Sequence, residues 1–161
     1  MNRENNNNKE YKKALNSAYR FLARRDHSIY ELRQKLLRKN FDGQVIDSVI
    51  NRLLELDYLD DLEFARSFIR HCQKIRQMGP VRIFYELRKK GVSREIIDIS
   101  SDEYSEDLEK DIILKIILSK LELGKREDKI IQYLQRKGFY LEKILNYMKL
   151  ARVQNCEKSS G

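Results

Sequence analysis

Proline occurs once in these 161 residues and glycine six times; tryptophan is absent and there are two cysteines. So few turn formers disfavour an all-β sandwich or barrel, whose many tight turns consume both residue types. They also exclude collagen-like and flexible low-complexity chains. Cys72 and Cys156 make neither a Cys-x-x-Cys pair nor a disulfide framework. A reducing, cytoplasmic setting is therefore expected. The N-terminal MNRENNNNKEYKK lacks the apolar segment of a secretory signal. The longest apolar stretch, IILKIIL at 112–118, is interrupted by Lys115. It falls far short of the roughly 20 apolar residues of a membrane span. What the chain has in abundance is charge. Charged residues make up 36%, and 33 Lys and Arg stand against 25 Asp and Glu, giving +8 and a pI near 9.4. A soluble, helical, basic protein remains.

The spacing of apolar residues is helical almost throughout. Ala14, Ala18, Phe21 and Leu22 recur at three and four. Ser28 with Glu31 is a capping box, in which the hydroxyl takes a free amide and the Glu reaches back to the cap. Ile29, Leu32 and Leu36 follow as a stripe. Asp42 is placed to cap the next helix, whose stripe is Val45, Ile46, Val49, Ile50, Leu53 and Leu54. Gly79-Pro80 is the one strong breaker, with Pro at a first helical position, where its missing N–H costs nothing. Gly91 stops the helix that follows. The asparagine run at 5–8 and the last residues read as tails, 1–13 disordered and 152–161 frayed.

The pattern repeats. Leu36-Leu-Arg-Lys-Asn-Phe41, Leu87-Arg-Lys-Lys-Gly-Val92 and Leu134-Gln-Arg-Lys-Gly-Phe139 all read Leu-x-basic-Lys-(Asn or Gly)-apolar, spaced by 51 and then 47 residues. Leu32, Ile83 and Ile130 precede each Leu by four, and Ile46, Ile97 and Ile144 follow it by ten. The expected fold is all-α, with three tandem three-helix repeats at 14–58, 60–103 and 105–151 stacked as an elongated, curved array.

The cations repeat too. Arg38-Lys39, Lys89-Lys90 and Arg136-Lys137 occupy the same two positions. Two residues forward is about 200° around a helix, so Arg38, Lys89 and Arg136 are expected to point away from the apolar stripe. Arg24, Arg25, Arg33, Arg82, Arg88, Lys125, Arg126 and Lys129 lie close by in sequence and could extend a basic track. Such a track suits phosphates, an acidic protein or an anionic surface. The bland reading of each cation is complementarity to the dipole of a last helical turn.

Catalytic chemistry finds little support. Asp57, Asp60 and Asp61 sit in one short connection before a helix, where Asp is a preferred cap, and lack metal-binding spacing. His27 and His71 are isolated, and His27 is expected on the surface beside Arg24, Arg25 and Asp26. There is no phosphate-cradling glycine loop, nucleophile elbow or zinc-ligand spacing. Neither a metal nor another cofactor is expected. Of the nine tyrosines, Tyr30, Tyr58 and Tyr85 read as half-buried helix packing rather than as platforms for bases.

Four segments resemble the RecX family of bacterial regulatory proteins, which act on the RecA recombinase. They are Ala18-x-x-Phe-Leu-Ala-Arg24-Arg-x-x-Ser28-x-x-Glu31-Leu32-x-x-Lys35-Leu36, Leu56-Asp-Tyr-Leu-Asp60-Asp61-x-x-Phe64-Ala65, Gly79-Pro80-x-Arg82-Ile83-x-x-Glu86-Leu87-x-x-Lys90-Gly91 and, more weakly, Tyr133-Leu134-x-Arg136-Lys137-Gly138-Phe139. Asn40 stands where the family usually has Gly. The resemblance implies a non-enzymatic modulator that binds the groove of the RecA–single-stranded DNA filament, and nothing in the sequence suggests an obligate dimer, so a monomer is expected. It implies inhibition of ATP hydrolysis and strand exchange, in DNA recombination, repair and the SOS response. Charge and periodicity by themselves leave two other readings open: a direct DNA-binding protein of helix-turn-helix type, and a helical protein-interaction scaffold.

Overall fold

The structure, a computed structural model, describes residues 2–159, with side chains over 7–153. It is all α-helical among the described residues, apart from one 3-10 turn at Ser101–Glu103. The helices are α1 (Asn2–Leu22), α2 (Ile29–Leu37), α3 (Gly43–Glu55), α4 (Asp61–Lys74), α5 (Pro80–Lys89), α6 (Arg94–Ser100), α7 (Glu106–Glu122), α8 (Glu127–Lys137) and α9 (Leu141–Ser159). The chain packs as two compact units. One comprises Met1–Arg66 with Leu87–Ile99, the other Ser67–Glu86 with Ser100–Gly161.

In the first unit α1, α2 and α3 pack on one another. Their core is built from Ala14, Ala18, Leu32, Leu36, Val45, Ile46, Val49, Ile50, Leu53 and Leu59. In the second, α7, α8 and α9 do the same around Ile112, Ile113, Ile117, Ile130, Leu134, Phe139, Ile144, Met148 and Ala151. All nine aliphatic positions of the sequence repeat are buried: Leu32, Ile83, Ile130, Leu36, Leu87, Leu134, Ile46, Ile97 and Ile144. Each removes a whole aliphatic side chain from water, worth about 1.5–3 kcal/mol.

Local chemistry sets the helix ends. Ser28 Oγ accepts from the Glu31 amide at 3.1 Å, while the Glu31 carboxylate accepts from the Ser28 amide, completing the capping box. Asp42 Oδ1 accepts from the Gln44 amide at 2.8 Å. Pro80 is the first residue of α5. Asp60 Oδ1 accepts from the Leu62 and Glu63 amides of its own helix.

Two expectations change. α1 begins at Asn2, so the stretch read as a tail over 1–13 is helical from that residue. Tyr11 lies three residues before Ala14, extends the apolar stripe and packs on the first unit's core. Glu10 Oε1 also accepts from the Asp42 amide at 2.9 Å. At the other end α9 runs on through residues expected to fray, to Ser159. Cys156 falls outside the described side chains, and Cys72 is fully buried.

His27 is buried, not on the surface. Its Nδ1–H donates to the Arg25 carbonyl at 2.8 Å, and its ring lies 6.2 Å from that of Phe21. Nε2 is buried without a hydrogen-bond partner. Burial lowers the His27 pKa, and the Arg25 and Lys35 charges add to this against the opposing pull of the Arg25 carbonyl and Glu31. A histidine whose folded pKa is depressed takes up a proton on unfolding. Stability is therefore expected to fall as pH drops below about 6.5, the unfolded value. Urea titrations at several pH values between 7.5 and 5.5 should show this slope in the wild type, and a flatter one in His27→Gln.

Candidate nucleic-acid interface

The repeated Lys-Gly motif builds two joints, one in each unit. In the first unit the C-terminus of α5 meets the N-terminus of α2. Ser28 Oγ donates to the Lys90 carbonyl at 2.5 Å. Lys90 Nζ reaches Glu31 Oε1 at 2.7 Å, and Arg25 grips the same carboxylate through both guanidinium nitrogens at 3.1 and 3.2 Å. Gly91, at φ 75°, presses against Tyr30; an added Cβ would stand 2.3 Å from the Tyr30 Cβ. Asp61 Oδ1 accepts from the Ile29 amide at 2.9 Å, so the second Asp of Leu-Asp-Asp caps α2 rather than its own helix. Burial would push the Glu31 carboxyl up. The hydrogen bonds and charges of Arg25 and Lys90 outweigh it and hold the group at about 2. For Asp61 burial prevails and raises its pKa, against the Ile29 amide.

In the second unit the C-terminus of α8 meets the N-terminus of α5 in the same manner. The Gly79 amide donates to the Lys137 carbonyl at 2.9 Å and the Val81 amide to the Gly138 carbonyl at 3.1 Å. Lys137 Nζ donates to the Arg76 carbonyl at 2.8 Å, and Arg82 Nη1 to the Arg136 carbonyl at 3.3 Å. Gly138 caps α8 in the left-handed conformation at φ 95°. Asn40, the counterpart in the first repeat, also has positive φ, at 60°, but is exposed. There only the backbone conformation must be met, and Asn tolerates it.

This joint shapes a cleft of about 370 Å³ lined by Arg76, Met78, Arg82, Tyr133, Arg136 and Lys137. Three members of the expected basic track, Arg82, Arg136 and Lys137, therefore meet around one aromatic ring. Arg76 joins them from the connection after α4. It stands outside the repeated positions, so periodicity gave no signal for it. Lys120, also absent from the expected set, places its ammonium 4.0 Å from the centre of the Tyr133 ring.

The two repeated cation positions have different surroundings. Arg38, Lys89 and Arg136 are exposed, as expected from their angle on the helix. Two of the following lysines are partly buried and engaged, Lys90 with Glu31 and Lys137 with the Arg76 carbonyl, whereas Lys39 is exposed and stands 5.3 Å from the Phe21 ring centre. Elsewhere Arg25 is held by Glu31, Arg33 by Asp47 at 2.6 Å and Arg126 by Asp128 at 3.1 Å. Arg24, Arg88, Lys125 and Lys129 are exposed. Tyr30, Tyr58 and Tyr85 expose about half their surface, 47%, 57% and 55%, as expected of half-buried residues. Tyr58 meets Tyr19 edge-on at 5.4 Å.

Comparison with known proteins gives this arrangement a family. Residues 14–53 match the model of the first RecX three-helix domain, and residues 60–99 that of the second. The regulatory protein RecX of Caldanaerobacter subterraneus is 32% identical over 137 residues, which cover 84% of this chain and 68% of that protein. The chain belongs to the RecX family. The regulatory protein RecX of Prosthecochloris aestuarii is 44% identical over 93 residues, 58% of this chain and 62% of that one. A Listeria monocytogenes RecX is 32% identical over 155 residues, 92% of this chain and 55% of that protein. The chain thus spans a little over half the length of these last two relatives. The crystal structure of RecX from Lactobacillus salivarius superposes with a TM-score of 0.79 at 24% identity, covering 90% of this chain and 98% of that one. The RecX fold is thereby shared. Among the described residues no helix is long and apolar enough to cross a membrane.

Proposed function

We propose that this chain is a non-enzymatic regulator that binds the RecA–single-stranded DNA filament in the cytoplasm and inhibits its ATP hydrolysis and strand exchange. Family membership supports a regulatory role, since the relatives are named regulatory proteins. The observation that carries the mode of binding is the convergence of Arg76, Arg82, Arg136 and Lys137 on one cleft. Like charges gathered at a surface repel one another and favour an anionic partner. A filament offers the phosphates of its strand.

In this reading the repeated cations divide their labour. The lysines at the joints hold the repeats, and Arg38, Lys89 and Arg136 face the partner. Replacing those three by Ala is expected to weaken binding to RecA-coated single-stranded DNA. It should also flatten the salt dependence, by roughly 0.7 in log–log slope for each phosphate that is no longer neutralised. Fluorescence anisotropy of labelled filaments over a salt series measures both. An unchanged affinity with an unchanged slope would remove these three residues from the interface.

A further inference from the structure

We infer that the cleft between the N-terminus of α5 and the C-terminus of α8 takes one nucleotide of a single strand, with its phosphate on Arg76 and Arg136 and its base against Tyr133 and Met78. This deepens the proposed function and rests on its premise that the protein meets single-stranded DNA.

The cleft holds about 370 Å³, at the small end of the range of about 300–1,000 Å³ for ligand sites. Its walls divide by chemistry. Three guanidiniums and one ammonium supply positive charge, and Tyr133 with Met78 supplies an apolar side. Two of the cations are already committed. Lys137 donates to the Arg76 carbonyl, and Arg82 donates to the Arg136 carbonyl and faces Glu86 at 3.9 Å. The side chains of Arg76 and Arg136 make no ion pair among the described residues, and both residues are exposed. A guanidinium presents a planar fork of donors that matches phosphate oxygens in pairs. Such pairing has no use for an aromatic ring, but an unpaired base does: bases stack on aromatic side chains with little regard to sequence. In a duplex the faces of the bases are covered by their neighbours. The combination of free guanidiniums with an aromatic side thus points to a single strand. The amides and carbonyls of Gly79, Val81, Lys137 and Gly138 fix the spacing of the two walls, so the site is preformed.

The test uses the full chain without RecA and a labelled dT oligomer at about 0.15 M salt, near physiological ionic strength. Arg76→Gln with Arg136→Gln is expected to weaken binding at least tenfold and to flatten the salt slope by roughly 0.7 for each phosphate left without its cation. Lys110→Gln with Lys149→Gln removes the same charge from exposed positions of the same unit outside the cleft, and should cost less than threefold. Tyr133→Leu keeps the bulk but not the ring, and should cost about tenfold because the base has nothing to stack on. Thermal unfolding of each variant confirms that it is folded. A 4-thiothymidine in the oligomer should photocrosslink to the peptide carrying Tyr133. Equal losses from the two charge pairs, no binding by the wild type, or duplex competing as well as single strand would overturn the inference. Should any of these occur while the chain still inhibits RecA, the regulatory role stands and only the nucleotide cleft falls.

Discussion

Gly79→Ala is expected to lower the thermal unfolding midpoint by about 6–20 °C. A Cβ at Gly79 would lie 2.3 Å from both the carbonyl carbon and oxygen of Gly138 and 2.5 Å from the Phe139 nitrogen. All three are backbone atoms, so no side chain can rotate out of the way. The walls of the joint must part, and overpacking of this kind costs about 1–3 kcal/mol. Parting them also strains the Gly79–Lys137 and Val81–Gly138 backbone bonds, each worth about 1 kcal/mol net. The sum is about 3–5 kcal/mol, and each kcal/mol moves the midpoint of a chain this size by about 2–4 °C. Gly43→Ala is the control. It stands at the first position of α3 with nothing within 4 Å of the added methyl, so a change of less than about 0.5 kcal/mol is expected, as for other surface substitutions. Differential scanning calorimetry of the two variants decides the matter. Equal midpoints would mean that α5 and α8 do not meet as described.

Glu31→Ala is expected to cost about 2–4 kcal/mol. It removes the carboxylate half of the capping box and a doubly held anion, and it leaves Lys90, only 22% exposed, without its acid. The depressed carboxyl predicts an acid dependence as well. Glu31 is held at about 2 against an ordinary 4.5, a difference worth about 3 kcal/mol at 1.36 kcal/mol per unit. The sign follows from proton counting. The unfolded state binds the proton first, so the contribution is complete above pH 4.5 and drains away as pH falls toward 2. Urea unfolding followed from pH 6 to pH 3 should show the wild type losing stability through this window. Glu31→Gln should start lower and lose less. Parallel curves would refute the role of the Arg25–Glu31–Lys90 cluster.

Core and helix ends were legible because they rest on short-range rules. Ser28, Asp42, Pro80 and Gly138 each announce a helix end by chemistry within a few residues, and the threefold spacing of Leu36, Leu87 and Leu134 marks side chains that share one environment. The N-terminal extension of α1 was hidden by its asparagines, which carry the signature of a tail although Tyr11 supplies an anchor. His27 was misplaced because its sequence neighbours are charged, whereas its burial comes from Phe21 and the turn that brings its ring inward. The joints were beyond reach. That Lys90 belongs to Glu31, or that Gly79 needs space against Gly138, depends on pairs about 60 residues apart. A sequence with three copies of Lys-Gly or Lys-Asn shows a repeated charge, and only the fold shows that Lys90 and Lys137 are latches while the cation before each is exposed. Arg76 escaped for the same reason: it reaches the cleft from an irregular connection.

Whether this chain restrains RecA through its filament is decided by RecA's single-stranded-DNA-dependent ATP hydrolysis, followed while the chain is titrated in at physiological salt. A progressive fall in rate is expected at ratios well below one chain per RecA protomer, since a regulator bound in a filament groove affects many subunits. An ATPase rate that stays constant up to stoichiometric amounts would contradict the proposed function.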